Sequence, residues 1–230
     1  MRRGKTAPKS APTGERVNRV AKEDGAVERP LRERGAEEGP DGLLRCPWAL
    51  SAPDYLAYHD EEWGRPLRED NGLFEHLCLE AFQSGLSWLT ILRKRDNFRA
   101  AFAGFDIDAV AEFGPPDVER LLADAGIVRN RAKIEAAIVN ARAAAALPVG
   151  LADLVWRFAG DNDPAPVTLA DVPPSTAASK ALSKELRKNG FTFTGPVTAY
   201  ATMQSCGVVN DHLADCYCRE AAKNTRAGSS

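Results

Sequence analysis

Cys46 and His59 lie near one end of the apolar part of this 230-residue sequence, and His212 and Cys216 lie near the other. In the stretch Asn210-Asp211-His212-Leu213-Ala214-Asp215-Cys216 the donors are spaced i, i+4, which on a helix turns both side chains to one face. Two soft donors cannot fill a tetrahedral metal site, and the sequence has only three histidines and five cysteines from which to complete one. Cys46 and His59 flank a single short aromatic segment and supply the missing pair. Together the four make a Cys2His2 set with no vacancy, the pattern of a structural zinc site; a catalytic zinc keeps one position open. The competing reading is four unrelated buried side chains. If the set is real, the fold must bring the chain's ends together and tie its first ordered helix to its last. Structural zinc contributes on the order of 10 kcal/mol in small peptides, and part of that would act here as a clasp. The remaining cysteines need no metal. Cys78 falls on an apolar helical stripe, Cys206 is read as packed in its helix, and Cys218 sits two residues past Cys216 on another face.

With 44% hydrophobic residues, the chain can bury one sizeable core. No run of about 18 apolar residues suggests a membrane span. An odd, irregularly spaced set of cysteines suits a reducing compartment, and the expected location is cytoplasmic. Residues 1–43 are rich in Gly, Pro, Arg and Glu and contain no aromatic residue. Such a segment buries too little apolar surface to offset its ordering entropy, so it is expected to be disordered. A globular domain over 44–220 and a disordered tail over 221–230 complete the expected organisation. The first 45 residues carry more basic than acidic side chains, so the remainder is more acidic than the overall charge of −2. An acidic body is not the usual electrostatic footprint of a nucleic-acid binder.

From Leu44 onward the apolar residues recur at helical spacing. Leu73, Phe74, Leu77, Cys78, Ala81 and Phe82 form one stripe, with Asp70 as its expected N-cap and Gly85 as its stop. Further helices are expected over Trp88–Arg95, Pro116–Asp124, Arg131–Ala146, Ala178–Lys188 and Pro196–Cys206. No segment alternates with period two, so the expected fold class is all-α.

Trp48, Tyr55, Tyr58 and Trp63 crowd one short segment, Trp88 follows, and Tyr55, Tyr58 and His59 share a helical face. An aromatic stripe is usually plain core. Glu80 is the unusual member, because it continues the Leu73/Leu77 line at the edge of the apolar stripe. A carboxylate facing an aromatic neighbourhood must be paired, protonated or functional; the bland alternative is a helix-edge Glu reaching solvent. Beside stacked rings it suggests a pocket for a flat ligand whose edge or positive charge it reads. A third feature is the stretch Leu186 to Ser205. There a helix ends at Arg187 and Lys188, a short loop is bounded by Gly190 and Gly195, and Pro196 opens the next helix. Free N–H groups at that helix start can hold a phosphate without net positive charge, as helix-hairpin-helix units do, although ordinary helical hairpins look alike. The joint Ala125–Ile134, with Arg129, Arg131 and Lys133, either touches phosphates or is solvated surface.

The motifs RCPW…AYHDEEWG, LCLEAFQSGLSW, DAGIVRNRAKIEAAIVNARA, GFTFTGPVTAYATMQSCGVVNDH and HLADC resemble, in order over about residues 45–218, the DNA-3-methyladenine glycosylase I family. That resemblance implies an all-α, two-lobed fold of the helix-hairpin-helix glycosylase type, acting as a monomer on double-stranded DNA with alkylated bases. It implies excision of N3-methyladenine and a structural zinc on Cys46, His59, His212 and Cys216. It also implies a base pocket with Glu80 as the catalytic carboxylate, surrounded by Trp48, Tyr55, Tyr58, Gln83 and Trp88. Gly85 and Leu86 match the family's loop that fills the gap left by the flipped nucleotide. Two departures matter. Ala201 stands where some relatives have a pocket serine, and Val197 stands where lyase-type relatives carry a Schiff-base lysine, so base removal without strand cleavage is expected. Asp215 lies near the offset of those relatives' aspartate but between two zinc ligands. The rival classes are a zinc hydrolase, which needs an open metal position, and a non-catalytic DNA-binding module, which needs no Glu80 pocket.

Overall fold

Asp70–Gln83 forms the helix around which the rest is built. The computed structural model describes residues 30–160 and 164–227. In chain order its helices are α1 (Pro53–Glu61), α2 (Asp70–Gln83), α3 (Trp88–Arg93), α4 (Arg95–Ala101), α5 (Ile107–Ala111) and α6 (Pro115–Ala123). α7 (Arg131–Ala145), α8 (Leu151–Trp156), α9 (Ala177–Lys188), α10 (Pro196–Ser205) and α11 (Cys218–Ala227) follow. The protein is mostly helical. No described helix is long and apolar enough to cross a membrane.

α2 is buried on every side from Leu73 to Phe82. A helix without a solvent face must be covered all round, and α7, α8 and α10 pack against it along with α3 and α5. This corrects the placement of Glu80 at an edge: at 7% exposure it lies inside. The N-cap is Glu69, whose carboxylate accepts from the Asn71 and Gly72 amides. Asp70, expected in that role, instead accepts from the Ala152 amide and caps α8 across the core.

Within the tails expected to be disordered, parts of residues 30–43 and 221–227 carry regular structure. Leu31–Glu33 is a 3-10 turn, and β1 (Glu37–Glu38) pairs antiparallel with β2 (Leu44–Arg45). Composition predicted disorder because little apolar area is available there; polar contacts supply the order instead. The Arg45 guanidinium, 3% exposed, is shared by Asp41 and Asp60, and the Tyr217 amide donates to the Leu44 carbonyl. At the other end, α11 carries the chain through Ala227. Residues 1–29 and 228–230 lie outside the described residues. Two apolar clusters result. The larger surrounds α2; the smaller contains Cys46, Leu213, Cys216 and Cys218, with Trp48 against it.

Candidate base-binding cavity and metal cluster

Cys46, His59, His212 and Cys216 converge as expected, all buried, with their donor atoms within 4.8 Å of one another. Cys216 Sγ is 3.5 Å from His59 Nε2 and 3.6 Å from His212 Nδ1, and Cys46 Sγ is 3.9 Å from His212 Nδ1. Donors held 2.0–2.3 Å from one tetrahedral ion lie roughly 3.3–3.8 Å apart, so the spacing suits a single ion. The outer nitrogens argue the same way. His59 Nδ1 donates to Asp60 Oδ1 at 2.8 Å, and His212 Nε2 donates to the Trp63 carbonyl at 3.1 Å. Each ring is thereby fixed in the tautomer that turns its lone pair toward the sulfurs, as outer partners of metal-bound histidines do. Asp60 is held in turn by Arg45. The donor set fits a metal.

Two local expectations fail here. His212 and Cys216 are not on a helix: the Cys216 amide donates to the Leu213 carbonyl in a turn between α10 and α11. A turn folds an i, i+4 pair together as well as a helix does, which is why the pairing was right and its reason wrong. Cys218 is not turned away either, since its Sγ lies 3.8 Å from His59 Nδ1, behind the cluster. Gly64 makes room for the packing. Its φ is +78°, and a Cβ there would fall 2.8 Å from His212 Nε2.

Trp63 and Trp48 are common to the cluster and to a neighbouring cavity. Trp63 meets His212 edge-on at 4.8 Å, and Trp48 meets His59 at 5.2 Å. On the other side, Trp48, Tyr55, Tyr58, Trp63, Glu80, Gln83, Trp88, Ala201 and Gln204 line a cavity of about 270 Å3. That is just below the range of about 300–1,000 Å3 for drug-sized ligands, and it suits one flat heterocycle. The walls are held from outside: the Tyr55 hydroxyl accepts from the Leu89 amide at 2.9 Å, joining α1 to α3.

All six residues expected in the base pocket meet in this cavity. Trp63 and Gln204 belong to it as well and were not assigned there from sequence. Trp63 was visible as one more ring in an aromatic run. Gln204 gave no signal, because its meaning depends on Asp211. That carboxylate accepts from Gln204 Nε2 at 2.8 Å and from the Tyr200 hydroxyl at 2.5 Å. A carboxylate can only accept here, so one amide N–H is committed and the orientation of the amide is fixed, leaving Gln204 its carbonyl oxygen and its second N–H to offer. Ala201 adds no hydroxyl. Asp215 lies in an exposed turn and is not among the lining residues.

Glu80 carries the electrostatics. Burial pushes its carboxyl up to about 8, and among the described residues no cation or donor offsets the desolvation. Burial, and next the proximity of Glu80, raises the Tyr58 hydroxyl. The Trp88 indole N–H is buried with no acceptor among the described residues. An unpaired acid and an unpaired donor in one aromatic cavity are groups waiting for a ligand. A second cavity, of about 320 Å3, contrasts with it. There Arg95 is already paired with Glu62 and Glu75 and Arg99 with Glu75, and His76 lies 3.1 Å from Glu62.

The remaining expected residues form two surface features. Past α2, Gly85 turns the chain at φ +83° and Leu86 stands 42% exposed. Between α9 and α10, Arg187 and Lys188 are exposed and Gly190 takes φ +91°. Gly195 is the N-cap before Pro196, so the first amides of α10 lack intrahelical acceptors.

The methyladenine glycosylase family pattern matches residues 48–220. The DNA-3-methyladenine glycosylase 1 of Escherichia coli strain K12 is 49% identical over 181 residues, covering 76% of this chain and 97% of that protein. A crystal structure of a 3-methyladenine DNA glycosylase I superposes with a TM-score of 0.74 at 47% identity, covering 76% of this chain and 99% of the other. The Staphylococcus aureus enzyme, solved to define 3-methyladenine recognition, gives a TM-score of 0.72 at 33% identity over 75% of this chain and 94% of its own.

Proposed function

This chain belongs to the methyladenine glycosylase family, and on that premise we propose that Glu80 and the rings around it receive a flipped 3-methyladenine. The protein is a DNA repair glycosylase: it hydrolyses the N-glycosidic bond of 3-methyladenine in alkylated DNA. The observation that carries the assignment of the site is Glu80, a buried carboxyl with no hydrogen-bond or ion-pair partner among the described residues, in an aromatic cavity.

A duplex hides the glycosidic bond, so the nucleotide must leave the stack at a cost of a few kcal/mol, less for a damaged base. N3-methyladenine in DNA is cationic, which already weakens its bond to the sugar. The protein's task is to stack the cation between Trp48, Tyr55, Tyr58, Trp63 and Trp88 and to set a negative charge at its edge. Glu80 supplies that charge. As the bond to the sugar breaks, the base leaves neutral, the sugar becomes oxocarbenium-like, and water adds to it. Gln83 and the Gln204 amide shape the remainder of the edge. Val197, 61% exposed at the start of α10, has no amine for a Schiff base, so the product is an abasic site in an intact strand.

The DNA-gripping parts lie outside the cavity. Gly85 and Leu86 fill the gap in the stack, and the α10 amides, Gly190, Gly195, Arg187 and Lys188 hold the backbone of double-stranded DNA in the manner of a helix-hairpin-helix. Cys46, His59, His212 and Cys216 hold a structural zinc in a monomeric, two-lobed catalytic domain over 44–220. Four protein donors leave no open position for a zinc hydrolase, and a non-catalytic module has no use for Glu80.

The test is base release. Purified protein incubated with methylated duplex should liberate free 3-methyladenine and leave the strand uncut, and borohydride should trap no covalent adduct. Glu80→Gln retains shape but loses the charge, and should slow release roughly ten- to hundred-fold. Wild-type rates from Glu80→Gln, or a trapped adduct, would contradict the assignment.

A further inference from the structure

Lys133 is a cation in a place that does not obviously need one. It lies on α7 and is 9% exposed. It belongs to the joint whose basic residues suggested phosphate contact or solvated surface, and it does neither. Its ammonium donates to the Phe82 carbonyl at 2.9 Å and to the Ser84 carbonyl at 2.5 Å. Its neighbour Arg131 pairs instead with Glu119 on the surface.

The two acceptors locate what Lys133 is for. Phe82 is in the last turn of α2 and Ser84 is its C-cap, where carbonyls lack intrahelical partners and a positive charge is favoured. An exposed lysine would satisfy that end without desolvation. Burying the charge is the more costly solution, and it fixes two successive exit points of the chain to α7. One residue later Gly85 turns at φ +83°, and the Leu86 amide closes on the Gln83 carbonyl at 2.6 Å. Leu86 then projects, partly exposed, from a loop whose inner side is tied down through Lys133.

We propose that Lys133 is a positioning residue for the Ser84–Leu86 loop, bracing it so that Leu86 can enter the base stack without being pushed back. A side chain that fills a gap in DNA must resist the pressure of the flanking bases. A turn closed by its own short-range hydrogen bonds yields; a turn whose carbonyls are held by a buried ammonium on another helix does not. This inference rests on the reading of Gly85 and Leu86 as the gap-filling loop.

The experiment compares one 3-methyladenine lesion in duplex and in single-stranded DNA, because only the duplex requires a stack to be opened. Lys133→Met retains the length of the side chain and removes the donors. It should lower single-turnover excision from duplex about tenfold, the usual scale for a lost charge-assisted hydrogen bond, while release from the single strand and binding of free 3-methyladenine stay near wild type. An equal fall on both substrates, or no fall on either, overturns the inference and leaves Lys133 as an ordinary helix cap. Should Lys133→Met not fold, Lys133→Gln, which loses the charge and is shorter but keeps N–H donors, should show a smaller fall confined to the duplex. The absence of such a fall overturns the inference. Leu86→Ala separates the two premises. If it leaves the duplex-to-single-strand ratio unchanged, the gap-filling reading itself is wrong and the inference falls with it. If it lowers that ratio and Lys133→Met does not, the loop fills the gap unaided by Lys133, and only the inference fails.

Discussion

Glu80 is under opposite demands when its cavity is empty and when it is filled. Empty, the cavity desolvates the carboxyl and no donor among the described residues compensates, so the proton stays on up to about pH 8. Filled by a cation, the same low-dielectric surroundings favour the carboxylate. Binding should therefore release a proton from the free enzyme at neutral pH. The rate constant kcat/KM reports groups of the free enzyme. For duplex containing 3-methyladenine it should rise with pH up to about 8, by as much as about tenfold per unit, and then level off. Glu80→Gln should flatten that slope, and a wild-type profile flat from pH 6 to 9 would count against Glu80 as the charged partner. Stability runs the other way. The folded-state pKa is raised, so between the unfolded value of 4.5 and about 8 the native protein holds a proton that the unfolded chain has lost. Its stability falls as pH rises through that window, by up to roughly 1.4 kcal/mol per unit. Glu80→Gln should accordingly match wild type in Tm near pH 4 and exceed it by a margin that grows toward pH 8. A margin independent of pH would show that Glu80 is not buried as an acid.

At the scale of elements, α7 supports from beneath both surface features proposed to meet DNA. Lys133 braces the loop after α2. Two turns further on, Asn140, 1% exposed, accepts from the Thr192 amide at 2.7 Å and donates to the Thr192 carbonyl at 3.0 Å, holding the turn between α9 and α10. Ser183 and Arg187 complete that turn through the Thr194 carbonyl and the Ser183 hydroxyl. Asn140→Ala strands a backbone amide and carbonyl, which should cost about 1–3 kcal/mol of stability. It should also weaken binding to undamaged duplex while sparing binding of the free base, as a fluorescence titration of each would show. Unchanged duplex affinity in a destabilised Asn140→Ala protein would place the phosphate contacts elsewhere. Long elements such as α2, α7, α9 and α10 were legible from sequence because their apolar spacing and terminal Gly or Pro lie within the segment. The short helices α4, α5 and α8, of seven, five and six residues, were not. α8 takes its cap from afar, at Asp70, whereas α5 has a local cap in Asp106, which accepts from the Ala109 amide, and a distant tie from the Ile107 amide to Asn71. Five or six residues leave too little apolar spacing to read. The site divides the same way. Donor types and rings were readable, whereas Gln204 on Asp211, Asn140 on Thr192 and Lys133 on α2 exist only once distant segments meet.

Across the whole molecule, the cluster that joins the Cys46 and Cys216 segments also backs the cavity proposed to receive the base. The large core around α2 contains none of the four metal donors, and the small cluster that does contain them depends on the chain's two ends meeting. Trp48 and Trp63 belong to both the cavity wall and the surroundings of His59 and His212. Loss of the proposed zinc should therefore leave most helices in place while loosening one wall of the cavity. Purified protein should contain one zinc per chain. Stripping it with a strong chelator, or replacing Cys216 with Ala, should lower Tm by several degrees or more, because part of the roughly 10 kcal/mol scale of structural zinc is lost. The far-UV circular dichroism should fall only modestly, since the α2 core persists. Affinity for free 3-methyladenine should fall together with zinc content, and restoring zinc to the stripped protein should recover both. Glu80→Gln provides the contrast: weak base binding with full zinc occupancy. Zinc well below one equivalent in active protein, or a Cys216→Ala variant with unchanged metal content and Tm, would sink the clasp. If zinc removal lowers Tm and leaves base affinity intact, the clasp stands, but the two tryptophans do not transmit it to the cavity.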